Sequence, residues 1–281
     1  MKIYYAGTRG SMPTSSPDHS EFGGHTTCLL VRGTGGEQIL LDVGTGLRTA
    51  IPHIDADQSL HVLLTHFHLD HLMGLPAWDA LYTPGRTLLF AAPRTDGSDI
   101  ADAVGSLLDS PYWPVALDQM PADIQLSDLD QSNIDHPLVL GGLEVRWTDL
   151  PHPGGCTAYR IDEPATGASM VFATDAEWDG APDDQRRRFV DLARGCDLLV
   201  ADGQYDPEVM HRHRGWGHTS WSVAADLARD VGCRRLAITH HDPDHDDTTL
   251  RGREARLQAL MPEAALARQG QVVELPGEDS Q

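Results

Sequence analysis

Residues 65 to 74 read Thr-His-Phe-His-Leu-Asp-His-Leu-Met-Gly, which sets three imidazoles and a carboxylate, His66, His68, Asp70 and His71, within six positions. Neutral imidazole and carboxylate are the usual nitrogen and oxygen ligands of zinc and its neighbouring metals. The cluster follows directly on the apolar run His61-Val62-Leu63-Leu64. An extended segment sends alternate residues to one face, so His66 and His68 aim together while Asp70 and His71 point elsewhere. Two pairs aimed two ways imply two adjacent metals. A histidine-rich surface loop is the plain alternative, but this cluster follows a strand, mixes acid with base and runs into helix-like sequence rather than low complexity.

A cluster of this kind needs a scaffold, and strand-like runs come early, at residues 2–6, 27–32, 38–43 and 60–65, each bounded by turn residues. Apolar spacing turns helical at 44–50 and 71–81, a further strand is expected at 87–92, and 98–108 reads as an amphipathic helix. Residues 109–135, with Pro111, Trp113, Pro114 and Pro121, read as irregular, a lid or, the preferred reading, a covering loop whose Trp and Pro are packing residues. The second half repeats the style. Strands are expected at 138–150, 157–161, 169–174, 197–201 and 235–239, and helices at 182–193, 220–231 and 248–260. Strands followed by helices, twice over, point to an α/β fold in which two sheets pack face to face with helices outside, an αββα sandwich.

The informative polar residues stand where these strands stop. His152 lies between Pro151 and Pro153, a setting that fixes the backbone and cannot continue a ladder. Asp175 closes Met170-Val171-Phe172-Ala173-Thr174, poised for a metal or for the N-terminus of a helical turn. His240 and His241 close Leu236-Ala237-Ile238-Thr239 in the same way.

Composition bounds the rest. The 281 residues suffice for a large buried core, and with no linker, repeat or low-complexity block apart from the acidic tail Pro276 to Gln281, the chain reads as a single domain over 1–281. The start shows no basic-then-apolar leader and no apolar stretch nears 18 residues, so the expectation is a soluble, cytoplasmic protein without a membrane partner. Cys28, Cys156, Cys196 and Cys233 are far apart among apolar or small neighbours and read as buried free thiols. The net charge of −21 disfavours duplex DNA or bulk RNA, while a small anion held by metals remains compatible. Oligomeric state stays open, a homo-oligomer included.

The set His66-x-His68-x-Asp70-His71, then His152, Asp175 and His240, in that order and at strand ends, resembles the metallo-β-lactamase-fold hydrolase superfamily over almost the whole chain. Gly7-Thr8-Arg9-Gly10-Ser11 and Leu41-Asp42-Val43-Gly44-Thr45-Gly46 are similar to that superfamily's opening turns. The resemblance implies that His66, His68 and His152 hold one metal, that Asp70, His71 and His240 hold the second, that Asp175 bridges them, and that a hydroxide is shared between the ions. His240 is preferred to His241 as the last ligand because it directly follows the strand. Zinc is the expected metal, with manganese or iron as substitutes.

The later motifs resemble the phosphodiesterase branch, which includes tRNA 3′-processing endonucleases and cyclic-phosphate phosphodiesterases. Leu198-Leu199-Val200-Ala201-Asp202 is similar to its acid-ended strand, and Trp216-Gly217-His218-Thr219-Ser220 carries the histidine that pairs with that acid. By that resemblance His218 donates a proton to the leaving oxygen and Asp202 orients its ring; a place beside a helix N-cap is the plain reading of His218. Two metals suit a phosphodiester, with Asp70 orienting or deprotonating the bridging water. Arg212 and Arg214 read as loop-surface charges, and the run from Asp242 to Asp247 as a cap on the following helix. No extended basic arm of the kind that grips tRNA is present, so a small cyclic or short phosphodiester is the expected substrate. Hydrolysis of a carboxylic ester, lactone, thioester or β-lactam is the alternative within enzymes, and a non-catalytic metal-binding or ligand-sensing module the alternative outside them.

Overall fold

Unbroken apolar runs such as Cys28-Leu29-Leu30-Val31 and Met170-Val171-Phe172-Ala173 mark strands covered on both faces. In the computed structural model, which describes residues 1–95 and 97–275, this is what they become. The first sheet takes β1 (Lys2–Gly7), β2 (Cys28–Arg32), β3 (Gln38–Leu41), β4 (Leu60–Leu63), β5 (Thr87–Pro93) and β6 (Asp123–Leu129). The second takes β7 (Asn133–Leu140), β8 (Leu143–Leu150), β9 (Cys156–Glu163), β10 (Ala168–Ala173), β11 (Leu198–Asp202), β12 (Arg235–Thr239) and β13 (Ala264–Leu266). The last strand, β14 (Val272–Glu274), returns to pair antiparallel with β1, so each sheet has seven strands. Both sheets are mixed. From β3 to β6 and from β10 to β13 all neighbours are parallel, whereas β1 to β3 and β7 to β10 run antiparallel.

The period of two along each strand sorts its side chains into layers. Leu29, Val31, Ile39 and Leu41 face Val145, Tyr159, Phe172 and Val200 in a core between the sheets. Their neighbours Leu30, Leu40, Val62 and Phe90 face outward onto Leu47, Leu75 and Val104, from the segments that include α1 (Leu47–Ala50), α2 (Leu69–Leu72) and α3 (Ile100–Leu107). On the far side Val171, Leu199 and Ile238 meet Phe189, Ala225, Ala228 and Leu257 from α4 (Asp183–Ala193), α5 (Trp221–Val231) and α6 (Asp247–Leu260). The expected αββα sandwich is therefore the observed fold.

Several local expectations are corrected. The stretch read as irregular over 109–135 contains β6 and the start of β7; β6 alternates half-buried Ile124 and Leu126, on the outer layer, with polar Asp123, Gln125 and Ser127, turns Leu129 to the opposite face, and as an edge strand carries a weak apolar signal. Before it, Trp113, Val115 and Leu117 do cover the outer face of the first sheet, and the Trp113 indole donates to the Tyr82 hydroxyl at 2.6 Å. The single strand expected at 138–150 is a hairpin that turns at Gly141-Gly142, where Gly141 has φ 63°. The helix expected over 71–81 is one turn, α2, followed by a short 3-10 turn at Asp79–Tyr82, because Gly74 and Pro76 interrupt it. Strands β13 and β14, three residues each, escaped the sequence reading.

All four cysteines are buried and free. Among the described residues no helix is long and apolar enough to cross a membrane. The acidic tail from Pro276 to Gln281 lies outside the described residues.

Candidate metal centre

Parallel strands end on a common edge, and here the C-terminal ends of β3, β4, β10, β11 and β12, with the end of β8, deliver Asp42, His66, Asp175, Asp202, His240 and His152 to one place. The turns that do so are forced. The four non-glycine residues with positive φ among the described residues are Ser11 (58°), Asp42 (59°), Asp175 (54°) and His240 (59°), and each touches this cluster. A left-handed conformation costs a non-glycine residue about 1–2 kcal/mol, so the sheet ends store strain where the side chains converge.

The seven expected ligands meet in two adjacent groups: His66, His68, His152 and Asp175 form one, Asp70, His71 and His240 another, their ligand atoms within 4.8 Å of one another in each. Asp175 faces both. Its Oδ1 is 3.2 Å from His240 Nε2, and its Oδ2 is 3.4 Å from His71 Nε2 and 3.7 Å from His66 Nε2. His152 Nε2 and His68 Nδ1 are 3.1 Å apart, and Asp70 Oδ2 is 3.2 Å from His240 Nε2. Two ligand atoms on one tetrahedral zinc, each about 2.0–2.2 Å from it, stand about 3.3 Å apart, so these are the edge lengths of coordination polyhedra.

The hydrogen-bond partners select the tautomers. His71 Nδ1 lies 2.8 Å from Asp42 Oδ2, and His152 Nδ1 lies 2.9 Å from the carbonyl of Gly217, so both Nδ1–H groups donate. His240 Nδ1 donates to the Gln204 amide oxygen at 3.1 Å. Thr65 gives its single hydroxyl hydrogen to Asp42 and accepts from His66 Nδ1 at 3.0 Å. In every case Nδ1 is engaged and Nε2 is the nitrogen that faces the cluster. His66 Nε2 and His71 Nε2 are buried without a hydrogen-bond partner among the described residues, a costly state that a cation relieves. The charges agree. Burial and the neighbouring His71 charge hold His66 well below its usual pKa, while Asp70, Asp175 and Asp42 outweigh burial and hold His71 well above its own. The donor set therefore fits divalent metal.

His218 stands beside this set. Its ring stacks 4.8 Å from His240, and its Nδ1 donates to Asp202 Oδ2 at 2.8 Å. Burial opposes its protonation, but the charge and hydrogen bond of Asp202, with Asp175 and Asp70 behind, push its pKa up to about 9. Asp202 also accepts from the Gln204 and Ala176 backbone N–H groups, so its oxygens are committed to positioning although a third group of possible ligands includes it. His241 is turned away and pairs with the Ala267 carbonyl at 2.8 Å; of the two neighbours, His240 faces the cluster. Arg214 is exposed and pairs with Asp179. In the acidic run, Asp246 caps α6 through Thr249 N at 2.7 Å.

Four partners carry no role in the sequence reading. Asp42 orients His71 and Thr65. The Ser11 N–H donates to Asp70 Oδ2 at 2.8 Å, and the Gln204 amide nitrogen reaches Ser11 Oγ at 3.3 Å. The Glu177 carboxylate accepts from the Gly215 and Gly217 N–H groups, which fixes the loop between His152 and His218. That loop requires glycine at 217: φ is 85°, and a Cβ would fall 2.1 Å from His152 Nδ1. At Gly10 a Cβ would fall 2.2 Å from His240 Nδ1. Asp42 shows the pattern that flagged Asp175, an acid directly after an apolar strand; the others had no such signal.

Comparison with known proteins places this geometry. A family model described as beta-lactamase superfamily domain matches residues 37–241. Ribonuclease Z of Haloarcula marismortui is 23% identical over 286 residues, covering 85% of this chain and 86% of that protein. Among solved structures, the metallo-beta-lactamase fold protein YhfI from Bacillus subtilis aligns with a TM-score of 0.69 at 20% identity, over 97% of this chain and 99% of that one. A diphosphatase from the PhnP family aligns at 0.68 and 18% identity, over 99% of each. These two share the fold.

Proposed function

The chain belongs to the beta-lactamase superfamily, as a metal-dependent hydrolase, and from that footing we propose that it is a dinuclear, zinc-preferring phosphodiesterase acting on small cyclic or short phosphodiesters. In this reading His66, His68 and His152 hold one ion, Asp70, His71 and His240 the other, and Asp175 is shared. When bound, two such ions lower the pKa of water and offset the charge that builds on the phosphoryl oxygens.

The chain's own groups do the rest. Asp70, held by the Ser11 N–H, has an oxygen 3.2 Å from His240 Nε2 and can orient the attacking water. Hydrolysis forms one P–O bond to water and breaks one to the departing alcohol, whose oxygen needs a proton. His218 carries that proton, and Asp202 fixes its ring so that Nε2–H is the free donor. The single observation that carries the reading is this His218–Asp202 pair beside the cluster, because metals alone serve any hydrolase. Ribonuclease Z and a PhnP-family diphosphatase among the similar proteins support phosphorus chemistry, and the net charge of −21 favours a small substrate over polyanionic RNA.

The test is turnover of bis(p-nitrophenyl) phosphate and of cyclic nucleotides by protein loaded with zinc, manganese or iron. Hydrolysis lost in His218→Asn with metal retained is expected. Silence with every metal overturns the reading, and full esterase or lactonase activity in His218→Ala replaces it with acyl chemistry.

A further inference from the structure

A cavity of about 500 Å3 opens beside the metal centre, bordered by His68 itself. Phe67 and Pro153 wall it with apolar surface, and Thr95, Ser98 and Ser106 supply hydroxyls. Asp102, in the first turn of α3, is the only charged residue among the described residues that line it. No described side chain forms a hydrogen bond or ion pair with its carboxylate; only its backbone N–H is engaged, by the N-cap Asp99. His68, the exposed member of the cluster, is the one that also lines this space, so a substrate held at the metals has room to extend into it.

We propose that this cavity receives the nucleoside of a nucleotide phosphodiester and that Asp102 selects guanine; the proposal rests on the phosphodiesterase reading and narrows it to a substrate class. The lining contains no cation among the described residues, so a second phosphate is unwelcome there, and a neutral group is required. A flat base meets the Phe67 and Pro153 walls. Guanine presents N1–H and N2–H side by side, a pair of donors that matches two carboxylate oxygens, whereas adenine sets the N1 lone pair beside its amino group and repels one of them. The same carboxylate has a second use as a favourable charge at the α3 N-terminus, which would leave base choice unaffected.

The experiment compares kcat/KM for 3′,5′-cyclic GMP and 3′,5′-cyclic AMP in zinc-loaded wild type and Asp102→Asn, with methyl p-nitrophenyl phosphate as a diester lacking a base. Wild type is expected to favour the guanine nucleotide by about tenfold or more, and Asp102→Asn to erase that ratio. Ala103→Trp, which fills the cavity, is expected to raise KM for both nucleotides. An unchanged ratio in Asp102→Asn, or nucleotides no better than the minimal diester in wild type, overturns the proposal. Should no diester be hydrolysed at all, the phosphodiesterase reading fails separately, and equilibrium binding of guanosine and adenosine to the same two proteins still decides: guanosine preference lost in Asp102→Asn supports the cavity, and equal binding overturns it.

Discussion

The two halves of the candidate metal centre are built differently. Asp70, His71 and His240 are buried, and each is held by a partner: the Ser11 N–H, Asp42 and Gln204. Of His66, His68 and His152, only His66 is buried; His68 is exposed, and among the described residues its ring nitrogens meet only His152. The buried half is preorganised in the way that gives tight metal binding. The open half gives up that support only at His68, since His66 and His152 keep the Thr65 hydroxyl and the Gly217 carbonyl, and this exposed ring is the one that borders the cavity beside α3. We infer from this one ion that stays and one that exchanges, with the substrate entering from the side of the second.

The largest effect should come from removing what the halves share. Asp175→Ala is expected to abolish the distinction by weakening both sites, with bound metal falling below two per chain and turnover falling by about 10³-fold or more, read by elemental analysis alongside kinetics. Next is His218→Asn, which leaves both ions in place and lowers kcat by about 10²–10⁴-fold. Because His218 is held above its ordinary pKa, its proton is present at neutral pH and is lost as pH rises; the wild-type rate therefore declines on the alkaline side, and the variant's profile should lack that limb.

Asp42→Asn separates the halves. It removes the carboxylate that touches His71 directly and His66 only through Thr65, and is expected to weaken the buried ion by about 10–100-fold and the open one less, seen as a change in the order in which a chelator strips the two metals. A smaller effect is expected from metal loading itself. His71 is held toward its protonated form by three carboxylates, so filling the buried half should release a proton, whereas burial already keeps His66 neutral and filling the open half should release none from it. Calorimetry in buffers of different ionisation enthalpy measures this.

How much of this was legible in the sequence follows the same division. The ligands were readable because each is a metal-binding residue type placed just past an apolar strand, and the sandwich was readable because its strands are apolar on both faces. The partners were not. Gln204, Ser11 and Glu177 act on residues far away in sequence, His240, Asp70 and Gly217, across turns whose left-handed backbone at residues such as Ser11 no composition announces. Edge strands failed for another reason: in β6 only Ile124 and Leu126 stand in phase between Asp123, Gln125 and Ser127 before Asp128 and Leu129 break the alternation, too short a signal to stand out. The choice between His240 and His241 needed the β12 turn, where φ of 59° at His240 aims one ring at Asp70 and the next at Ala267.

The most direct measurement is turnover of bis(p-nitrophenyl) phosphate as zinc is added stepwise to metal-free protein. A first equivalent that binds tightly with little turnover, followed by a second, weaker one that brings hydrolysis, is the predicted result. Full turnover at one equivalent, or none at two, contradicts the account.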